Sequence, residues 1–366
     1  MREAEEILAL TKRLMSFRTV SDNPKELRRC IDFIENYFSG TGVCLKRFVR
    51  NTKPSLIITL RETKSPELFL VGHIDVVPAP DKLFIPRIKG RYLYGRGSSD
   101  DKSQVAIMLV LMKHYSRLRE TPDLGLMIVS DEETGSRYGV QQLIKDYSSS
   151  FAIVLDGGDD YEIVTKEKGP LHLKIRARGK SAHGATPWEG INAIDKLINV
   201  YLKLKTRFPR NKGWSNTISL GMINGGSVIN QVPDHAEMGL DMRFISDREK
   251  AEMLSFIKRM KGLELELVST GDVLDVNPRN RYIRRLRKAG TNILGKSQKI
   301  GRMNGATDAR FFFEKGIPSV LLSPLGDGHH SADERVELKS LEKIYLILKE
   351  FIDESIRTQP QKKIIK

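Results

Sequence analysis

Histidine and carboxylate residues follow four strand-like segments of the sequence, LFLVG, LMIVS, AIVL and SVLLSPLGDG. These residues are His73, Asp75, Asp131, Glu132, Glu133, Asp156, His329 and His330. The segment GRGSSDDKS adds Asp100 and Asp101. If these imidazole and carboxylate groups converge, they would repel and desolvate one another unless a cation neutralised them. Nitrogen and oxygen ligands without thiolate are typical of zinc, for which cobalt or manganese can substitute.

The elements that must position these residues are predicted strands that alternate with helices. SLIITL, LFLVGHI, LGLMIVS and FAIVLD have the pattern of strands, and residues 101–120 have the spacing of a crossover helix. This alternation predicts an α/β domain with a largely parallel sheet. Such sheets bind ligands beyond the carboxyl ends of their strands, which is where the candidate residues lie.

Each motif also has an ordinary structural interpretation when it is taken alone. A histidine after a strand is commonly structural, GRGSSDDKS could begin a helix with Asp100 or Asp101 as its N-cap, and DEETGS could be an acidic turn. The metal hypothesis depends on the combination, because several separate clusters would have to end strands of one sheet by chance. Asp75 strengthens it, since a carboxylate two residues after His73 could orient a ligating imidazole.

The pattern of apolar residues changes at about residue 169. Strand, helix, strand, strand, helix and strand patterns follow one another up to residue 271, with helices expected at about 188–208 and 247–261. The order βαββαβ is typical of a ferredoxin-like domain. We therefore predict a discontinuous α/β domain, 1–168 and 272–366, with a smaller domain inserted at 169–271.

Composition narrows the class of protein and its location. Lys and Arg (61) exceed Asp and Glu (46), but the basic residues are dispersed and lack an aromatic platform, so we expect no nucleic-acid partner. Cys30 and Cys44 form no CxxC pair, which favours a reducing compartment over a disulfide scaffold. The N-terminus is charged and amphipathic, and no segment has the length of a membrane span. We expect a cytoplasmic protein without membrane contact.

The ordered series GHIDVVP, GRGSSDDK, SDEETGS, LDGG, KSAHGATPWEG and GHHSADE resembles a family of dinuclear-zinc hydrolases. That family includes acetylornithine deacetylase, succinyl-diaminopimelate desuccinylase, aminoacylase and glutamate carboxypeptidase. The resemblance extends from about residue 5 to residue 355. It implies an amide-bond hydrolase with two zinc ions per subunit. Residues 1–168 and 272–366 would form the catalytic metal-binding domain, and the inserted domain 169–271 would be the lid through which a homodimer forms.

The resemblance also implies a role for each matching residue of the catalytic domain. His73 and Asp156 would bind one zinc ion, Glu133 and His330 the other, and Asp100 would bridge them through its carboxylate. His330 is chosen over His329 because it begins the pattern His-x-x-Asp-Glu. Glu132 would be the general base that takes a proton from the bridging water, and Asp75 would support His73. A cis peptide bond is implied after Asp100.

The remaining implied roles concern the substrate. His183 matches a histidine that reaches across a dimer to stabilise the oxyanion, and Asn230 and Arg243 match substrate contacts. Gly305 and Thr307 match a loop that meets the substrate carboxylate through backbone N–H groups. Without the motif, His183 would be a polar loop residue and Arg243 a strand-end charge.

The expected reaction is hydrolysis of the amide bond of an N-acyl amino acid. Carboxypeptidase and dipeptidase activities are the alternatives, because these enzymes share all the metal residues. Release of an amino acid from an acidic carrier protein is a further alternative that the net charge of +15 would suit.

Overall fold

The computed structural model describes residues 2–209 and 213–358, and the chain divides into two compact units. Unit 1 comprises Met1–Thr165, Val276–Arg302 and Thr307–Lys366, and unit 2 comprises Lys166–Asp275 and Met303–Ala306. The sequence-based divisions after residues 168 and 271 fall close to the two ends of the long segment of unit 2. Among the described helices, none is long and apolar enough to cross a membrane.

The secondary structure consists of strands and helices of moderate length. The strands are β1 (Cys44–Arg50), β2 (Lys53–Thr59), β3 (Leu68–His73), β4 (Arg87–Lys89), β5 (Tyr92–Tyr94), β6 (Leu124–Val129), β7 (Phe151–Val154), β8 (Ile163–Glu167), β9 (Gly169–Arg178), β10 (Thr217–Gly225), β11 (His235–Phe244), β12 (Leu263–Thr270), β13 (Leu274–Asp275), β14 (Ile300–Met303), β15 (Ser319–Leu321), β16 (Gly326–Asp327) and β17 (Arg335–Glu337). The α-helices are α1 (Arg2–Met15), α2 (Pro24–Tyr37), α3 (Lys102–Tyr115), α4 (Val140–Leu143), α5 (Ala193–Lys205), α6 (Asp247–Lys258), α7 (Arg281–Leu294), α8 (Ala309–Glu314) and α9 (Leu338–Thr358).

The main sheet of unit 1 has the strand order β1-β2-β6-β3-β7-β15-β8, and the four strands from β6 to β15 are parallel. Strands β3, β6 and β7 are buried along their whole length, as expected of parallel strands covered on both faces. Helix α3 is almost entirely buried and connects β3 to its parallel neighbour β6. The predicted α/β fold with a crossover helix is confirmed.

A second, antiparallel sheet of unit 1 has the order β16-β17-β5-β4. Because β17 pairs with β5, Arg335 lies opposite Tyr94, and the loop that precedes β17 ends where the loop that follows β5 begins. The first loop carries His330 and the second carries Asp100. This small sheet therefore brings together two motifs that are far apart in the sequence.

Unit 2 contains an antiparallel sheet of order β10-β11-β9-β12 with helices α5 and α6. Residues of β9 and β11 alternate between buried and partly exposed, so one face of the sheet packs into the core of the unit. Along the chain the order is βαββαβ, as the pattern of apolar residues predicts.

The predicted start of the first helix of unit 2, at about residue 188, is wrong. Pro187–Glu189 forms a single 3-10 turn, and α5 begins only at Ala193. Asn192 provides the physical reason, because its side chain accepts hydrogen bonds from Ile194 N (2.9 Å) and Asp195 N (3.2 Å) and so caps the helix.

Candidate metal centre

Seven of the candidate residues of unit 1 lie at the carboxyl ends of β3, β6 and β7 and on the two loops aligned by the small sheet. Strand register places His73 of β3 beside Val129 of β6, and Val71 beside Val154 of β7, so these three strands end at one edge. Asp156 and the pair Glu132 and Glu133 then follow at that edge. Because the strands are parallel, motifs that follow different strands in the sequence lie next to one another in space.

Two groups of side chains meet at this edge with their oxygen and nitrogen atoms close together. The first group is His73, Asp100 and Asp156, and the second is Asp100, Glu133 and His330; within each, the ligand atoms lie within 4.8 Å of one another. Asp100 belongs to both groups. Its Oδ1 lies 2.9 Å from His73 Nε2, and its Oδ2 lies 3.2 Å from His330 Nε2. The carboxylate therefore faces one group with each oxygen, as a bridging ligand would.

His73 is held in an orientation suited to a ligand. Its side chain is 1% exposed, and its Nδ1 lies 3.0 Å from the carbonyl oxygen of Asp75, which assigns the ring proton to Nδ1. Nε2 is buried and makes no hydrogen bond among the described residues, although Asp100 Oδ1 lies 2.9 Å from it; with the ring proton on Nδ1, two acceptor atoms face each other. A buried nitrogen lone pair aimed at carboxylates is costly in a protein alone and is accounted for by a cation.

Asp75 joins this histidine to the acidic loop after β6. Its Oδ1 accepts a hydrogen bond from Glu132 N at 3.2 Å, and its Oδ2 accepts one from Glu133 N at 3.1 Å. Ser21 Oγ donates to the same Oδ2 at 3.1 Å. Asp75 therefore fixes the backbone of Glu132 and Glu133 as well as the neighbourhood of His73.

The backbone around Asp100 is also specialised. The peptide bond from Asp100 to Asp101 is cis, as the resemblance implies. Asp101 Oδ2 accepts a hydrogen bond from His73 N at 3.0 Å, which joins the loop to β3. This oxygen comes so close to β3 that a Cβ at Gly72 would lie 2.6 Å from it. Glycine is therefore required before His73 for steric reasons.

The crowding of carboxylates shifts their proton affinities. Burial and, after it, the charge of Asp100 raise the pKa of Glu133 and the pKa of Asp156, each to about 7. Burial and the charge of Asp156 raise the pKa of Glu132 well above its ordinary value. Burial lowers the pKa of His73, but the carboxylates of Asp100 and Asp75 outweigh it and raise that pKa. A cation at this place would relieve the repulsion between the carboxylates.

The donor set fits a pair of divalent ions. Two imidazoles and three carboxylates, with one carboxylate shared, match the ligands that zinc takes in catalytic sites. Glu132 belongs to neither group, although its backbone is fixed beside Glu133. It is therefore available for proton transfer.

The candidate residues of unit 2 do not form one cluster. His183 and Asn230 come from adjoining loops, since Gly184 N donates to Asn230 O at 2.7 Å and His183 bridges to Gln231; both side chains are exposed. Arg243 lies near the far end of β11 from the loop of Asn230. Its guanidinium donates to Asp241, at 2.8 Å from Nε and 3.2 Å from Nη2. Within unit 2, the structure thus brings together two of these three residues.

The two remaining candidates lie on the segment before α8. Gly305 is partly exposed, whereas Thr307 is buried, and its Oγ1 accepts a hydrogen bond from Ala309 N at 3.2 Å. Thr307 therefore supports the start of α8. Its neighbour Asp308, which the sequence did not single out, accepts a hydrogen bond from Ser136 Oγ in the acidic loop.

Sequence reasoning also missed a buried ion pair beside the metal ligands. Arg96 and Glu334 contact each other at the base of the loops that carry Asp100 and His330. His329, adjacent to the chosen ligand, instead lies 2.7 Å from Ser99 Oγ through its Nε2. The only signal in the sequence was that Glu334 completes the pattern His-x-x-Asp-Glu.

Comparison with known proteins assigns the chain to a family. Residues 69–354 match the model of peptidase family M20/M25/M40. The chain is 26% identical, over 373 residues, to succinyl-diaminopimelate desuccinylase of Nitratiruptor sp., covering 95% of this chain and 99% of the relative.

Solved structures share the fold. A tripeptidase from Staphylococcus aureus superposes with a TM-score of 0.78 at 22% identity, covering 97% of this chain and 99% of that one. A dinuclear metal binding peptidase of the M20 family from Bacillus subtilis gives a TM-score of 0.72 at 14% identity, with 98% and 99% covered. At these identities the likeness establishes the fold alone. Together with the family match, it shows that the chain belongs to peptidase family M20/M25/M40 and is a metal-dependent hydrolase of amide bonds.

Proposed function

We propose that this protein removes the acyl group from an N-acyl amino acid by hydrolysing its amide bond with two zinc ions. The observation that carries the proposal is the pair of ligand groups that share Asp100. His73, Asp100 and Asp156 would hold one ion, and Asp100, Glu133 and His330 the other; cobalt or manganese could replace zinc. When bound, two such ions would polarise the scissile carbonyl and lower the pKa of water towards neutrality.

The side chains around the ligands have separate tasks in this reaction. Glu132 takes a proton from the attacking water and later donates it to the departing amine. Asp75 keeps the Nδ1–H tautomer of His73, because the carbonyl oxygen of Asp75 lies 3.0 Å from Nδ1. By holding Glu132 N and Glu133 N, the same residue keeps the base next to the ligand.

Unit 2 would supply contacts to the substrate. Arg243 would clamp the substrate carboxylate with its guanidinium, and Asn230 would also contact the substrate. His183 would stabilise the oxyanion from the other subunit of a homodimer. Backbone N–H groups of the loop with Gly305 and Thr307 would contact the carboxylate as well.

We propose a homodimer formed through the inserted domain, which would also act as the lid. Strand β10 is an edge of its sheet and pairs, among the described residues, only with β11. Met222 and Ile223 on it are exposed. An exposed apolar edge strand is a typical surface for pairing with another chain. Cys30 and Cys44 are free thiols, which supports our placement of the protein in the cytoplasm.

The substrate class rests on the relatives. The desuccinylase similarity favours an acyl amino acid, whereas the fold shared with a tripeptidase favours a short peptide as the alternative. The net charge of +15 keeps an amino acid attached to an acidic carrier protein as a further alternative.

The test is release of free amino acid from N-acetyl, N-succinyl and dipeptide substrates by enzyme supplied with zinc or cobalt. A chelated sample is the control. Metal-dependent cleavage concentrated on one acyl class would support the deacylase, and cleavage of dipeptides alone would replace it with the peptidase. Equal cleavage by the chelated sample would refute the metal mechanism.

A further inference from the structure

The carboxylate of Glu334 is a fixed point for the loop that carries Asp100. The residue is 1% exposed, and its Oε1 accepts hydrogen bonds from Ser99 N at 3.0 Å and from Asp100 N at 3.3 Å. A carboxylate that accepts two consecutive backbone N–H groups restricts the direction of the peptide between them. Glu334 therefore sets the backbone position from which the Asp100 side chain extends.

Arg96 pairs with Glu334 and also contacts the loop that carries His330. It is 3% exposed and is paired with Glu334 Oε2 through Nη1, while its Nη2 donates to the carbonyl oxygen of His330 at 3.2 Å. His330 has a φ of 62°, a left-handed conformation that is unfavourable for a residue with a side chain. A charged donor on its carbonyl oxygen helps to hold this conformation.

Neither the Arg96 guanidinium nor the Glu334 carboxylate could keep its buried position without an opposite charge beside it. A buried charge without its partner is strongly unfavourable, so removing one member of the pair destabilises the position of the other. The planar guanidinium matters as well, because it reaches a carboxylate and a carbonyl at once with two of its nitrogens; the single ammonium group of lysine cannot reproduce this fork.

We propose that the Arg96–Glu334 ion pair is a positioning device for the metal centre, with Glu334 orienting Asp100 and Arg96 orienting His330. The inference rests on the proposed function, since it requires those two residues to be ligands. It implies an asymmetry: while a positive charge at position 96 keeps Glu334 paired, the second nitrogen of the Arg96 guanidinium acts only on the ion bound through His330, whereas Glu334 acts on both ions because Asp100 is shared.

The experiment is a calorimetric titration of metal-free protein with Zn²⁺, comparing wild type with Arg96→Lys, Glu334→Gln and Glu334→Ala. His330→Ala identifies which of two binding events belongs to the second ion. Arg47→Lys is the control, since Arg47 likewise contacts two acceptor groups, here the carboxylates of Asp32 and Glu35, and among the described residues it contacts none of the candidate ligands. The melting temperature of each metal-free variant is measured in parallel.

We expect Arg96→Lys to weaken the event lost in His330→Ala by about 10- to 100-fold and to leave the other event within about threefold. Glu334→Ala should weaken both events. Glu334→Gln keeps an oxygen for the two backbone N–H groups but lacks the negative charge that pairs with Arg96. It should therefore resemble Arg96→Lys. Arg47→Lys should leave both events unchanged.

Three results would overturn the inference. Unchanged affinities in Arg96→Lys would show that the pair does not position His330. An equal loss at both events, accompanied by a lower melting temperature of the metal-free protein, would show an ordinary structural role. Wild-type protein that binds fewer than two ions would overturn the proposed function and the inference with it.

Discussion

The candidate residues of the two units differ in how firmly their surroundings hold them. In unit 1, His73, Asp75 and Asp100 are buried or partly buried and joined by hydrogen bonds to backbone groups of other motifs. In unit 2, His183 and Asn230 are exposed. This difference indicates that the candidate metal centre is preorganised within one unit. The exposed residues proposed to contact the substrate are not held by comparable burial.

The largest effect should come from the ligand shared by both groups. Asp100→Ala should lose metal and lower kcat/KM by at least about 10³-fold, since bound metal contributes several kcal/mol to the barrier. Metal content by mass spectrometry and initial rates measure this. Asp22→Ala, an exposed aspartate before α2, is the control and should change neither. An Asp100→Ala protein that still bound two ions would contradict this prediction, because the shared carboxylate would not be needed for metal binding.

Glu132→Gln should lower kcat by about 10²- to 10⁴-fold with both ions retained, because it removes only the proton acceptor. Metal content and kcat must be determined on the same preparation. A variant that lost metal in proportion to activity would identify Glu132 as a ligand, contrary to its absence from both groups.

His183→Ala should lower kcat by about 10²- to 10³-fold, the range for loss of one oxyanion donor, while metal affinity stays that of the wild type. This variant separates the roles of the two units, because kcat reports on His183 of unit 2 and metal affinity reports on the ligand groups of unit 1. Weaker metal binding in His183→Ala would contradict the prediction, because it would show that His183 affects metal binding as well as catalysis.

Arg243→Lys should have the smallest effect, a KM raised by about tenfold with kcat little changed, because a clamp on the substrate carboxylate loses its second hydrogen bond. Asp241 already accepts two hydrogen bonds from Arg243, so Asp241→Asn is the informative partner variant. If KM were unaffected in Arg243→Lys, the arginine would be a structural partner of Asp241 only.

Much of unit 1 could be predicted from the sequence because parallel strands are buried on both faces and end at one edge. Continuous apolar segments identify such strands, and polar residues directly after them, such as His73 and Asp156, stand out. The start of α5 was missed because the cap depends on the side chain of Asn192, after a Pro-Trp-Glu turn that looks helical by composition. Helix ends are set by such local hydrogen bonds.

The ion pair of Arg96 and Glu334 could not be predicted in this way. The two residues are 238 positions apart, and although Glu334 completes the pattern His-x-x-Asp-Glu, neither segment indicates that it pairs with the other. The contact between Asp241 and Arg243 was accessible, because alternate residues of a strand lie on the same face. It was missed because Arg243 was considered only for its match to a substrate contact.

The pairing of β5 with β17 has a consequence for synthesis on the ribosome. The loop of Asp100 is complete only when His330 and Glu334 have emerged, after the whole of unit 2 has been translated. Until then the nascent chain contains His73, Asp100 and Asp156, which is one ligand group of the two. Contacts between such distant segments form late, so the ligand group that contains His330 can be completed only after unit 2 has been translated.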